Sequence, residues 1–193
     1  MKPTLLPQPK RLRQRQGAFA LPRAVEIGIC CHRLHGCARV LQSFIGRSSI
    51  HVTVATVDDT VTLALDRTLA NAEAYRLAIG ARGIRIDGAT PAAVAHGVQT
   101  LRQLVAQADD GRLPRLRIDD WPDLAERGVY YDVCRGRVPK LDRLKQLADH
   151  LARYKINQLQ LYIEHTFAFR AHPRIGTGAS PLSAEDILEL DEY

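Results

Sequence analysis

A cluster of cysteines and histidines is the first feature of this sequence whose residue types could do chemistry. Five such residues fall within eight positions: Cys30, Cys31, His32, His35 and Cys37. Zinc binds thiolate and imidazole, but a zinc site needs ligands from two approaching segments or a fixed spacing such as C-x2-C. The cluster spans a predicted strand-to-helix junction, from which its side chains would point in different directions. We therefore interpret it as buried thiols and surface imidazoles, and expect neither a metal nor a cofactor.

The net charge of +6 is concentrated near one end of the 193-residue chain. Residues 1–50 carry nine Lys and Arg against one acidic residue, whereas the remainder is slightly acidic. This basic segment lacks interleaved aromatic residues on which bases could stack, so nucleic acid is not an expected partner. No apolar run approaches the length of a membrane span, so no membrane partner is expected. Residues 1–16 show no secretory signal, which predicts a cytoplasmic protein with reduced thiols.

The elements of the first 120 residues predict a small α+β domain of antiparallel hairpins and helices. Alternating and β-branched patterns predict a strand at residues 25–29 and two hairpins, one joining 51–57 to 61–65 and the other joining 74–79 to 84–87. Apolar residues at helical spacing predict a helix over 32–45. Thr90 and Pro91 start a second helix that runs to about Gln107. Residues 113–121, with Pro114 near their start, are interpreted as a connector.

Residues 121–193 show a different pattern. Residues 128–133 and 157–163 are predicted strands, and Pro139 opens a leucine-rich helix between them. Ser183-x-x-Asp186 is a capping box that starts a further helix. Strand, helix, strand and helix in this order form the repeat of parallel sheets and (β/α)8 barrels. The predicted fold class is therefore α/β, with an N-terminal domain over 1–120 followed by the first βα units of an incomplete TIM barrel over 121–193.

These segments resemble family 20 glycoside hydrolases, the β-N-acetylhexosaminidases. Arg127-Gly128-Val129-Tyr130-Tyr131-Asp132-Val133-Cys134-Arg135 is similar to the first barrel strand of that family, R-G-x-x-x-D-x-x-R. Residues 155–161 are similar to its second strand, K-x-N-x-L-x-L. Three upstream segments match its earlier part in the same order: residues 6–10, 97–101 and 120–122. After the second strand the family has roughly L-H-x-H-x-x-D-D, whereas this chain has Leu161-Tyr162-Ile163-Glu164-His165, which indicates a divergent branch.

The resemblance implies exo-hydrolysis of terminal β-linked N-acetylglucosamine or N-acetylgalactosamine from glycans. In this mechanism the acetamido group of the substrate is the nucleophile, and an adjacent Asp-Glu pair on the fourth barrel strand assists it. A full barrel needs about 250 residues, whereas 127–193 supplies 67. Asp191-Glu192 is an adjacent pair, but it lies in a predicted helix and not at a strand end. We expect no catalytic residue in this chain, and no activity from the chain alone.

The substrate-binding residues that the resemblance implies follow the two predicted barrel strands. Arg135 stands where the arginine of the family hydrogen-bonds hydroxyls of the terminal sugar, a task that suits a planar guanidinium; a structural ion pair is the alternative. Asp132 lies in a predicted buried strand and must be paired, so orienting its neighbours is its expected role. Glu164 and His165 are candidate contacts at the rim of the site, with simple surface exposure as the alternative.

Two other functions are compatible with the sequence. One is a different acetamido-assisted glycosidase similar to O-GlcNAcase, although its barrel would be expected to open R-G-x-x-E-G, where this chain has Asp132 and Arg135. The other is a non-catalytic carbohydrate-binding or scaffold module built on the small domain. A G-x-D-E strand roughly a hundred residues beyond Tyr193 in the coding sequence would favour the hexosaminidase.

The cysteine–histidine cluster should hold no stoichiometric metal, because no second segment is predicted to bring ligands towards it. Elemental analysis of the purified protein is the measurement. One zinc per chain, lost on Cys37→Ser, would contradict this expectation.

Overall fold

The computed structural model describes residues 3–52 and 59–193. The chain divides into two compact units, Met1–Asp123 and Leu124–Tyr193. No helix within the described residues is long and apolar enough to cross a membrane.

The first unit contains seven strands and two α-helices among its described residues. In chain order they are β1 (Arg11–Ala20), β2 (Ala24–Ile29), α1 (His35–Ile45), β3 (Arg47–Val52), β4 (Val61–Leu65), β5 (Tyr75–Ile79), β6 (Ile84–Gly88), α2 (Pro91–Ala106) and β7 (Arg112–Asp120). A short 3-10 helix, His32–Leu34, leads into α1. Helix α2 begins as predicted, because the Thr90 side chain accepts a hydrogen bond from the Ala93 backbone N–H and Pro91 occupies the first turn.

The seven strands form one sheet in the order β1-β7-β5-β6-β4-β2-β3. The pairs β2–β3, β2–β4 and β4–β6 are parallel. The pairs β5–β6, β5–β7 and β1–β7 are antiparallel. The sheet is therefore mixed, and the first unit is a mixed α/β fold.

One of the two predicted hairpins is wrong. Strand β2 lies between β3 and β4 and pairs with each of them in parallel, so β3 and β4 do not form a hairpin. Residues 53–57 of the predicted first arm lie outside the described residues. The second hairpin is confirmed, since β5 and β6 pair antiparallel from Tyr75↔Gly88 to Ile79↔Ile84. An alternating pattern predicts that a segment is a strand, but it does not specify which strand lies beside it.

The predicted connector at 113–121 is also wrong, because most of it is strand β7, which lies between β1 and β5. Pro114 lies before Leu116, where the pairing with β5 ends, and beside a register shift in β1 between Gln14 and Ala18. A proline lacks the backbone N–H that a regular ladder uses, and irregular positions of this kind tolerate it. Residues 11–20, which belong to the basic N-terminal segment, form the edge strand β1.

The two helices cover one face of the sheet. Helix α1 packs against β2 and β3, helix α2 packs against β5 and β6, and the helices contact each other. Val94, Val98 and Leu101 of α2 are fully buried, as are Leu77 and Ile86 on the strands below. Successive strand residues point to opposite faces, so the other face presents the alternate residues. Several of these are charged, among them Arg76, Arg85, Asp87, Arg117 and Asp119.

A buried polar link joins the helix layer to the sheet. The Tyr75 hydroxyl donates to Asp120 Oδ2 at 2.9 Å and lies 2.7 Å from Thr100 Oγ1 in α2. Burial, reinforced by the charge of Asp120, raises the pKa of Tyr75 well above its usual value. Asp120 also accepts the Lys10 backbone N–H at 3.1 Å. Because an unpaired buried polar group is costly, these contacts fix the layers relative to each other.

The second unit is built on a parallel β-α-β segment: β8 (Gly128–Asp132), α3 (Leu141–Arg153) and β9 (Gln158–Tyr162). Helix α3 begins two residues after Pro139, the residue predicted to open it. A further helix, α4 (Ala184–Glu192), starts at the predicted capping box. In that box the Ser183 hydroxyl accepts from the Asp186 backbone N–H, and the Asp186 carboxylate accepts from the Ser183 backbone N–H.

The close approach of α2 to the sheet depends on Gly97. A Cβ at this position would lie 2.5 Å from Ile86 Cγ2 and 3.1 Å from Tyr75 Cδ2. Gly97→Ala should therefore lower the free energy of unfolding by about 1–3 kcal/mol through overpacking. Gly36→Ala is the matched control, since Gly36 lies in α1 with nothing within 4 Å of its Cβ position, and it should stabilise by up to about 1 kcal/mol. Denaturant unfolding measures both, and equal stabilities would contradict the packing argument.

Candidate functional site

The carboxyl ends of β8 and β9 bring the predicted substrate-binding residues towards one edge. The strands pair in parallel register from Gly128↔Gln158 to Asp132↔Tyr162, so both strands end at the same level. Arg135 follows β8 by three residues and Glu164 follows β9 by two. Polar residues that the sequence separates by about thirty positions therefore become neighbours.

Two residues of the quoted motifs fix this register from the opposite edge. The Arg127 side chain donates to the Lys155 carbonyl at 2.8 Å and also to the Leu124 carbonyl. Asn157 accepts the Arg127 backbone N–H at 2.9 Å and donates to the Ala125 carbonyl at 2.7 Å. These bonds tie the segment before β8 to the segment before β9. A slip of one residue would break them and would move Asp132 to the other face of the strand pair.

Arg135 is the centre of the candidate site. Its Nη1 donates to Asp132 Oδ2 at 2.7 Å and its Nη2 donates to Glu164 Oε1 at 3.2 Å. The guanidinium also lies over the Tyr162 ring, 4.9 Å from the ring centroid. The hydrogen bond to Asp132, followed by the one to the Tyr162 hydroxyl, raises the pKa of Arg135. The side chain nevertheless remains 66% exposed, so it is oriented by two carboxylates and still accessible to a ligand.

Asp132 orients the turn that carries Arg135. Its Oδ1 accepts the backbone N–H groups of Cys134 at 2.9 Å and of Arg135 at 3.1 Å, together with the Cys134 thiol at 3.2 Å. The hydrogen bond from the Cys134 backbone, followed by the one from the Arg135 side chain, holds the pKa of Asp132 well below its usual value. Asp132 is therefore a paired, ionised carboxylate whose bonds fix the direction in which Arg135 leaves the strand.

Tyr162 belongs to the site although the sequence did not single it out. Its hydroxyl donates a hydrogen bond to Glu164 Oε1. That bond raises the pKa of Tyr162. Its ring lies below the Arg135 guanidinium and 5.7 Å from the ring of Tyr130. The available signal was its position, because Tyr162 ends β9 in the segment that departs from the family pattern.

Three other features singled out in the sequence lie outside the Arg135 cluster. The His165 side chain makes no hydrogen bond or ion pair with any residue that the structure describes, so it is not joined to the Arg135 cluster. Tyr130 lies in β8 and is 59% exposed in the second unit. The Asp191-Glu192 pair lies at the end of α4, away from any strand end in the sequence.

Within residues 3–52 and 59–193, one group has the geometry for a metal ion. Ligand atoms of Glu26, His51 and Asp59 lie within 4.8 Å of one another, and His51 Nε2 is 2.7 Å from Asp59 Oδ1. The cysteine–histidine cluster is arranged differently. The Cys30 and Cys31 sulfurs are 3.8 Å apart, whereas Cys37 is buried with its thiol donating to the Pro91 carbonyl. Burial raises the pKa of Cys37 to about 11.

The Arg135 cluster is suited to binding hydroxyl groups. A guanidinium carries five N–H donors, and the contacts with Asp132, Tyr162 and Glu164 involve only its two terminal nitrogens. Donors therefore remain for a ligand, and the carboxylate of Glu164 offers an acceptor beside them. A ligand hydroxyl both donates and accepts hydrogen bonds, so it can bond to the guanidinium and to the carboxylate together.

A mixed α/β unit followed by a parallel β-α-β unit with polar strand ends fits the expectation of a glycoside hydrolase. Comparison with known families gives the particular family. The model of glycosyl hydrolase family 20, domain 2, matches residues 2–121. The chain belongs to glycoside hydrolase family 20, which confirms the resemblance seen in the sequence motifs.

Individual relatives agree with this assignment. The chain is 34% identical over 155 residues to a β-N-acetylhexosaminidase of Cellulomonas fimi, covering 78% of this chain and 30% of the relative. It is 28% identical over 167 residues to a β-hexosaminidase of Vibrio furnissii, covering 83% of this chain and 26% of that protein. The chain thus spans less than a third of the length of these relatives.

Solved structures show the same fold. The N-acetyl-β-hexosaminidase of Streptomyces plicatus in complex with Thio-NAglucal superposes with a TM-score of 0.84 at 25% identity, covering 100% of this chain and 44% of that chain. The β-N-acetylhexosaminidase of Bacteroides fragilis also superposes with a TM-score of 0.84, at 18% identity, covering 96% of this chain and 41% of that one.

The depressed pKa of Asp132 predicts a pH dependence of stability. A carboxylate with a lowered folded-state pKa stabilises above its unfolded pKa, and this contribution is lost as pH falls through the folded value. Stability of the second unit should therefore fall as pH drops below about 5. Asp132→Asn should have a lower melting temperature than the parent chain at pH 7. Its melting temperature should also fall less as the pH is lowered. Melting temperatures between about pH 2 and 7 test this, with Asp191→Asn as the matched control. Identical pH profiles for the two variants would contradict it.

Proposed function

We propose that the second unit begins the catalytic (β/α)8 barrel of a β-N-acetylhexosaminidase. The parallel β8-α3-β9 arrangement is the repeating unit of such barrels, whose active sites form at the carboxyl ends of the strands. The observation that carries the proposal is the position of Arg135, held by Asp132 and Glu164 at that end of both strands. The family membership and the names of the relatives support the same activity.

In this proposal the complete protein removes terminal non-reducing β-linked N-acetylglucosamine or N-acetylgalactosamine from glycans. The catalysis is substrate-assisted and retaining, with the acetamido oxygen as nucleophile. The Asp-Glu pair that this mechanism needs would come from a later barrel strand. The present chain contributes sugar binding, and alone it is expected to be inactive.

Each polar residue has a separate role in the proposed site. Arg135 donates to hydroxyls of the terminal sugar through the N–H groups that its acidic partners leave unused. Asp132 is a positioning residue that fixes the Arg135 turn. Glu164 orients the guanidinium and offers an acceptor to the sugar. His165 is proposed as a rim contact that makes its bonds only when a ligand is present.

Activity can be tested in a chimera in which this chain replaces the segment that it matches in the Cellulomonas fimi relative. The chimera should hydrolyse aryl β-N-acetylglucosaminides, whereas the 193-residue chain should not.

Arg135→Ala in the chimera should lower kcat/KM by about two to four decades, as expected for losing two hydrogen bonds to a charged donor. Arg135→Lys should recover little, because an ammonium cannot reproduce the planar fork.

Two controls separate binding from folding. Arg137→Ala removes an exposed arginine two residues away and should leave kcat/KM unchanged. If Arg135 served only as a structural ion pair, Arg135→Ala would lower the melting temperature while the kinetics per folded molecule stayed the same. A folded chimera without activity would contradict the proposed function itself.

A further inference from the structure

A cavity of about 830 Å³ in the first unit lies where three parallel strands end. Strands β2, β4 and β6 run in the same direction, so their carboxyl ends meet at one edge of the sheet. Cys30 follows β2, Asp66 follows β4, and Asp87 is the penultimate residue of β6. In open α/β sheets, ligands commonly bind outside the carboxyl ends of the strands. The cavity also has the volume typical of a small-molecule site.

Four arginines line this cavity: Arg33, Arg67, Arg76 and Arg85. Two of them are oriented by carboxylates. Arg76 contacts Asp119 at 3.1 Å and Asp66 at 3.4 Å, and Arg85 contacts Asp87 at 2.8 Å. The hydrogen bonds from Thr68, together with Arg76, lower the pKa of Asp66, which keeps it ionised. These two guanidinium groups are thus held in place within the cavity wall.

The other two arginines have no such partners. Arg33 and Arg67 are exposed and form no hydrogen bond or ion pair within the described part of the chain. Arg117 adds another cation nearby, since it contacts Asp119 at 3.1 Å. The cavity and its adjoining network therefore combine five guanidinium groups with three carboxylates, a surplus of two positive charges. A doubly charged anion would neutralise that surplus.

We propose that this cavity binds a tetrahedral oxyanion, a phosphate or sulfate group carried by a small ligand. The arginines approach from the β2–α1 connection, from the β4–β5 connection and from strands β5 and β6. A carboxylate offers a single edge that matches one guanidinium fork, whereas a tetrahedral oxyanion accepts hydrogen bonds from several directions at once. Leu65 and the adjacent thiols of Cys30 and Cys31 form a less polar wall on which the remainder of the ligand can rest. The site is independent of the Arg135 cluster and of the proposed glycosidase activity.

Direct titration of the 193-residue chain tests the proposal. Inorganic phosphate and inorganic sulfate should each bind with one-to-one stoichiometry by calorimetry at low ionic strength, with sodium chloride at matched ionic strength as the reference. Arg33→Gln combined with Arg67→Gln should weaken binding by at least about tenfold. The matched control, Arg39→Gln with Arg82→Gln, removes the same charge from exposed positions that do not line the cavity and should change the affinity by less than about twofold.

The Cys30 thiol gives a second measurement inside the cavity. Cys30 is exposed, whereas Cys37 and Cys134 are buried, so mass spectrometry can follow its alkylation by neutral iodoacetamide. Phosphate at a concentration near the dissociation constant of the parent chain should slow that reaction in the parent chain and in the control variant, and should slow it much less in the Arg33/Arg67 variant. Phenyl phosphate and phenyl sulfate then distinguish the two sources. Phenyl phosphate is close to a dianion at pH 7 and phenyl sulfate is a monoanion, so the surplus of two positive charges predicts tighter binding of the phosphate ester.

Three results would overturn the assignment. They are the absence of saturable binding, an equal loss of affinity in both double variants, and a Cys30 alkylation rate that phosphate does not change. The melting temperature of each variant shows whether it is folded, and both substituted pairs are exposed, so folding should be preserved.

Discussion

Parallel strand pairing is the constraint on which both polar sites of this chain depend. Parallel neighbours end at the same edge of a sheet, so residues that follow different strands meet there without being close in sequence. In the second unit this brings Arg135 and Glu164 together after β8 and β9. In the first unit it brings Cys30, Asp66 and Asp87 to one cavity. A change in strand register would therefore separate the residues that form each site.

Charge at both sites follows one design, in which carboxylates orient arginines that stay open to solvent. Asp132 and Glu164 hold Arg135, and Asp87 holds Arg85. Exposed ion pairs of this kind contribute little to stability, because water and salt screen them. Their value lies in geometry, since a guanidinium that is already oriented loses less rotational freedom when it binds a ligand.

The family assignment and the proposed activity rest on different parts of the chain. The family model matches residues 2–121, which form the mixed sheet and its two helices. The Arg135 cluster lies beyond that range, in the unit that contains β8, α3 and β9. In that cluster, Tyr162 and Glu164 occupy the segment that departs from the usual family pattern, and both contact Arg135. The segment that departs from the pattern therefore supplies two of the contacts of Arg135.

The sequence by itself determined the features that depend on neighbouring residues. Thr90 and Pro91 start α2, Ser183 and Asp186 cap α4, and the apolar runs define β8 and β9, because capping and periodicity are local properties. Ordered motifs along the chain also identified the family. Those motifs directed attention to Asp132 and Arg135, which the structure joins by an ion pair.

Tertiary structure alone decided which elements are neighbours. Strand β2 separates β3 from β4, and a supposed connector became β7, because pairing depends on contacts between distant segments that alternation cannot specify. For the same reason the sequence did not predict the role of Tyr162, which depends on the register of β9 against β8. It also did not predict the cavity, because the four arginines of the cavity come from four separate segments. A sequence pattern tells which side of a strand is buried, but only the folded chain decides what lies beside it.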